Sequence, residues 1–142
     1  MVNGIIAPEN ACLIPSTNIT GVPASFVQKA ALEALSPRTP IEPMVEEFRR
    51  RRDYLSKALS GMGAFEFSRP HGAFYVFPKI SRTGMDSYSL SSLLLDGGVS
   101  TTPGESFGGY DENIRISYAN SMENLREATK RIRSALEQKK LI

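Results

Sequence analysis

Cysteine and histidine each occur once in the 142 residues, as Cys12 and His71. One thiol cannot close an internal disulfide, and one thiol with one imidazole falls short of a metal-ligand set, so a disulfide scaffold and a Cys/His metal centre are both excluded. A reducing compartment is the natural setting. Charge imbalance is small too: the formal net charge of +2 is too low to point to nucleic acid or an anionic membrane as a partner. No apolar run approaches the ~20 residues of a membrane helix. The stretch from Met1 to Pro15 has no basic leader and interrupts its apolar residues with Pro8, Glu9 and Asn10, unlike a signal peptide. These absences lead to the expectation of a cytoplasmic protein that engages neither nucleic acid nor membrane.

What remains is a chain of single-domain length, large enough to bury roughly two-thirds of its unfolded surface. "GIIAP" (4–8) reads as a short strand ended by Pro8, followed by a stretch rich in turn formers up to Pro23. Ser25 and Gln28 have capping-box spacing at the start of a helix whose apolar face is Phe26, Val27, Ala30, Ala31 and Ala34. A longer helix starts near Pro43, with Met44, Phe48, Leu55, Leu59 and Met62 on one stripe and Gly61 and Gly63 as its stop. Its Arg49 to Arg52 run lies within pairing distance of Glu46, Glu47 and Asp53, which predicts a solvated, salt-bridged face rather than a phosphate site.

"GAFYVFPKI" (72–80) has the aromatic and β-branched content of a strand, with Pro78 marking an edge or bend. Asp86 or Ser87 caps a third helix burying Leu90, Leu93 and Leu94, and Gly97–Gly98 ends it. A short strand then runs into the glycine-rich "PGESFGGY" (103–110), "NIRISYA" is a further strand, and Asn120 or Ser121 caps a last helix with Met122, Leu125, Thr129, Ile132 and Leu136 inward. The order helix, helix, strand, helix, strand, strand, helix predicts an α+β fold, a small mixed β-sheet covered on one side by helices.

The residue that does not fit a packing role is Arg115. Alternation along "NIRISYA" puts Ile114, Ile116 and Tyr118 on one face and Asn113, Arg115 and Ser117 on the other. A guanidinium between two small polar side chains faces solvent, an internal carboxylate or the anionic group of a ligand, because burial without an anion is costly. From these residues alone the three alternatives stay open.

"SFVQKAALEAL", "RRRRDYLSKAL", "PHGAFYVFPKIS", "LLLDGGVSTTPGESFG" and "NIRISYANSMENLREATKRI", in this order, resemble the C-terminal part of aspartate-aminotransferase-like enzymes. These are the fold-type I, pyridoxal-phosphate-dependent aminotransferases. The resemblance implies that residues 24–142 form the small domain of such an enzyme and residues 1–23 a remnant of a large-domain strand with an irregular connection. It implies amino transfer between an amino acid and a 2-oxo acid in a homodimeric enzyme. It makes Arg115 the substrate α-carboxylate clamp and Phe74 an aromatic lining the substrate cleft; taken alone, Phe74 reads equally well as core. The loop "PGESFG" resembles one that leads toward that cleft; its glycines also read simply as a turn.

The same resemblance implies an aldimine lysine, in a Ser-Lys segment that stands upstream of the "GIIAP"-like strand. Among the lysines present, Lys29, Lys57 and Lys130 read as surface residues of helices, Lys139 and Lys140 belong to the tail, and Lys79 lacks the neighbouring motif. The expectation is therefore a chain with no catalytic, cofactor-binding or metal-binding residue of its own, inactive in isolation and not binding pyridoxal phosphate alone. The alternative is a non-catalytic structural or dimerisation fragment derived from that family.

Overall fold

A computed structural model describes residues 23–36 and 40–142. The strand expected over 4–8, Cys12 and the irregular connection that follows lie outside the described residues. The chain divides into two compact units, Met1–Ile41 and Glu42–Ile142.

In the first unit the described helix is α1 (Ser25–Ala34). The expected capping box does not form. The N-cap position falls on Ala24, Ser25 is already helical, and Gln28 donates from Nε2 to the Pro23 carbonyl at 2.7 Å instead. One turn of shared spacing fits a Gln that reaches back to a carbonyl as well as one that completes a box. None of the α1 residues is buried.

The second unit contains α2 (Glu42–Ser60), β1 (Tyr75–Val76), a 3-10 turn (Ser81–Thr83), α3 (Ser87–Asp96), β2 (Thr102–Pro103), a second 3-10 turn (Gly104–Phe107), β3 (Ile114–Ser117) and α4 (Met122–Gln138). This is an α+β fold with the element order that the sequence predicts. The three strands lie in the order β1-β3-β2. Every described pairing between them is antiparallel: Tyr75 faces Ser117, Val76 faces Ile116, Thr102 faces Arg115 and Pro103 faces Ile114. The strand expected over 72–80 is thus much shorter. Ala73 has a left-handed φ of 59°, and Pro78 has no N–H to give. The chain returns to the sheet through isolated bridges of Lys79 with Glu66 and Asn113.

The core gathers residues from one face of the sheet and from three helices: Ile114 and Ile116 of β3, Val76 of β1, Leu55 and Leu59 of α2, Leu90 and Leu94 of α3, and Leu125, Ile132 and Leu136 of α4. The stripe of α2 is buried only in its later half; Met44 is 57% exposed. Leu93, expected inside, is only partly buried. Two helix starts behave as expected. Asp86 accepts from the Ser89 amide at 2.8 Å, and Ser121 accepts from the Asn124 amide at 3.1 Å, each satisfying a donor that the first turn would otherwise leave free. With the helices occupying the Ile114/Ile116 face, the Arg115 face of β3 is left away from the core.

Candidate functional site

Arg115 sits in the middle strand of the sheet and is half-buried. Strand alternation places it on the same face as Ser117, and the register sets Thr102 directly across on β2. Its guanidinium donates to Thr102 Oγ1 at 3.3 Å, a long bond that uses one of five N–H donors. The guanidinium carbon lies 5.2 Å from the centre of the Tyr75 ring and 4.8 Å from that of Phe107. Both distances are within cation–π range, where each contact contributes roughly 0.5–1 kcal/mol at an accessible site. Tyr75 comes from β1, diagonal to Arg115 through its pairing with Ser117. Phe107 comes from the 3-10 turn that follows β2.

Among the described residues no carboxylate pairs with Arg115. That sets it apart from the arginines of α2, where Arg49 pairs with Glu46, Arg50 and Arg51 with Glu47, and Arg52 with Asp53. Arg69 joins the same Asp53 at 2.7 Å, and Arg131 bonds Glu127 at 2.9 Å one turn away on α4. The four-arginine run is therefore the salt-bridged face its spacing predicts. The guanidinium of Arg115, held by a hydroxyl and two ring faces, still has most of its donors for an incoming anion, and a carboxylate matches their planar fork.

The turn that carries Phe107 is built tightly. Gly104 is buried against β3, its amide donating to the Asn113 carbonyl at 2.8 Å. A Cβ on Gly104 would collide with the carbonyl oxygens of Tyr110 and Asn113, so any other residue forces the backbone to shift. Gly108 closes the turn with φ of 100°. Phe77 stands between the rings of Phe107 and Tyr110, edge to face with both at 5.8 and 5.7 Å.

Phe74 is 51% exposed, which removes the core reading. Its ring meets Tyr75 edge to face at 5.5 Å, so it stands one ring away from Arg115 rather than on it. Phe74 also lines a cleft of about 330 Å³ with Phe48, Arg52, His71, Ala73 and Tyr118, which Arg115 does not line. Tyr75, Phe107 and Thr102 were not singled out by the sequence. Tyr75 could have been found by continuing the strand alternation across the pairing to β1; Phe107 sits in an irregular loop, where no periodicity points it anywhere.

Every lysine is exposed. Lys79 pairs with Glu112 at 3.0 Å, and that carboxylate holds its ammonium pKa above the ordinary lysine value. Among the described residues no group of three or more His, Cys, Asp or Glu side chains could hold a metal ion, and no helix is long and apolar enough to cross a membrane.

The family model described as "Aminotransferase class I and II" matches residues 13–132. The chain is 45% identical over 127 residues to an aspartate aminotransferase of Pyrococcus horikoshii, covering 86% of this chain and 32% of that protein. A probable N-acetyl-LL-diaminopimelate aminotransferase of Bacillus subtilis is 43% identical over 112 residues, covering 77% of this chain and 28% of its own length. The crystal structure of an aromatic aminotransferase from Pyrococcus horikoshii superimposes with a TM-score of 0.83 at 36% identity, covering 92% of this chain and 36% of that one. The chain therefore spans about a third of the length of these relatives. Matched over most of its residues in sequence and in fold, it belongs to the class I and II aminotransferases.

Proposed function

We propose that residues 24–142 are the small domain of an aminotransferase that moves an amino group between an amino acid and a 2-oxo acid, and that Arg115 is its clamp for the substrate α-carboxylate. The observation that carries this reading is the state of Arg115: a half-buried guanidinium with aromatic neighbours and no carboxylate partner among the described residues. A cation kept in that condition has electrostatic stabilisation to gain from an external anion. Gripping the carboxylate fixes the orientation of the substrate Cα–H bond, and such positioning accounts for a large part of the barrier reduction in bimolecular chemistry. Phe74 then borders the substrate through Tyr75.

The described residues do not fit pyridoxal phosphate, the cofactor that the family generally uses to stabilise the carbanion at Cα. An aldimine lysine needs a lowered pKa to act as a nucleophile, and Lys79 is shifted the opposite way while the remaining lysines lie exposed on helices or in the tail. The chain supplies the substrate clamp and not the aldimine lysine. The complete enzyme is read as a cytoplasmic homodimer.

Two measurements test the reading. Incubation of the 142-residue chain with pyridoxal phosphate and borohydride is expected to leave no lysine selectively modified; stoichiometric labelling of one lysine would overturn the statement about the cofactor. Calorimetric titration with succinate is expected to show weak binding, with Kd on the order of millimolar because only part of a cleft is present. Binding should be lost in Arg115→Ala, and identical titrations for the two proteins would remove Arg115 from the site.

A further inference from the structure

Phe107 is one of the large apolar side chains left substantially exposed, at 42%. Exposure of that kind in a turn closed by Gly108 and Gly109, with φ of 100° and 91°, would ordinarily cost apolar hydration with little return. The ring has two contacts that explain its placement: edge to face with Phe77, and under the Arg115 guanidinium at 4.8 Å. The turn is anchored at its other end, where buried Gly104 bonds the strand that carries Arg115 through Asn113, two residues before it. The turn is thereby tied to the same strand as the cation it covers.

We propose that Phe107 is a positioning residue for Arg115, holding the guanidinium in a fixed orientation before any anion arrives. An arginine side chain free to sample its rotamers would lose that freedom on binding a carboxylate, and a ring that restricts it beforehand lowers this cost. Thr102 Oγ1, at 3.3 Å, is too long a bond to do this alone. Tyr75 contributes the second ring, from the opposite neighbouring strand. Of the two, Phe107 is the nearer, and it belongs to a turn whose shape depends on Gly104.

The inference rests on the reading of Arg115 as a carboxylate clamp, and the test separates the two. Without ligand, the Arg115 Nε–H signal, assigned by its loss in Arg115→Ala, is recorded by proton–nitrogen NMR for the full chain and for Phe107→Leu and Phe107→Tyr. A guanidinium held over ring faces gives an upfield-shifted signal; Phe107→Leu should move it downfield, and Phe107→Tyr should leave it in place. Succinate titrations of the same proteins should then show roughly fivefold weaker binding for Phe107→Leu and parent-like binding for Phe107→Tyr. An Arg115 signal indifferent to Phe107→Leu, or Phe107→Leu binding succinate as the parent does while Arg115→Ala does not, would overturn the proposal. If Arg115→Ala binds like the parent, the clamp reading fails and the ligand-free signal alone decides the positioning role. Because the Phe107 ring is partly exposed, a uniform loss of stability without change in the Arg115 signal marks a merely structural role and counts against it.

Discussion

Lysine in place of Arg115 would keep the charge and lose the fork. Lysine offers a compact, strongly hydrated point charge without a planar guanidinium to stack on Tyr75 and Phe107, so Arg115→Lys should bind succinate little better than Arg115→Ala in calorimetry, at near-parental stability. Gly104→Ala acts on the same site from the backbone. Its Cβ would fall 2.1 and 2.4 Å from the carbonyl oxygens of Tyr110 and Asn113, and the required shift should cost about 1–3 kcal/mol in urea unfolding. The face on which Arg115 stands was legible from alternation alone, because Ile114 and Ile116 are buried and Arg115 is not. What it touches was not. Tyr75 and Phe107 reach it through strand register and a turn, which depend on which segments pair, and a single sequence does not state that.

Among the elements, the helix ends follow local chemistry and were readable where a side chain could bond only one way. Ser121→Ala should cost about 1 kcal/mol, since the Asn124 amide loses its acceptor at 3.1 Å. Asp86 adds a pH dependence. The Ser89 amide, and next its hydroxyl, hold the Asp86 carboxyl below the usual aspartate value. A depressed folded-state pKa contributes stability that is present above the unfolded value of about 3.9 and disappears as pH falls through the folded one. Asp86→Asn, which keeps an acceptor but cannot titrate, should flatten the decline of the thermal midpoint as pH falls below about 4. Glu47, Asp53 and Glu127, each lowered chiefly by side-chain hydrogen bonds from arginines, shift in the same direction and leave a residual slope in that variant. The Ser25–Gln28 spacing misled because helix start and helix cap differ by one residue, and Ala24 took the cap position. The strand at 72–80 was overestimated for a related reason: its composition favours extension, while Pro78 and left-handed Ala73 interrupt pairing. Ala73→Gly should relieve that backbone strain and stabilise the fold by about 1 kcal/mol.

For the molecule as a whole, α+β class and element order were both open to sequence reasoning, since the helical stripes of α2 and α4 and the alternation of β3 all point to one core. Removing part of that core, as in Ile132→Ala, should cost about 2–5 kcal/mol. The family, too, was visible in ordered motifs spread over nearly the whole chain. Function at this scale depends on what the chain spans, about a third of its relatives' length, and on the proposed role of Arg115 as the substrate clamp. Sedimentation of the chain separates a clamp domain acting as part of a larger enzyme from a self-associating structural fragment; a defined dimer would favour the latter. The central claim, that Arg115 exists to hold an external carboxylate, is tested most directly by crystals of this chain grown with succinate. The account predicts a carboxylate group of succinate bonded to the Arg115 guanidinium, with Tyr75 and Phe107 beside it. Succinate seated elsewhere, with the Arg115 guanidinium turned onto a glutamate or aspartate of the chain itself, would contradict it.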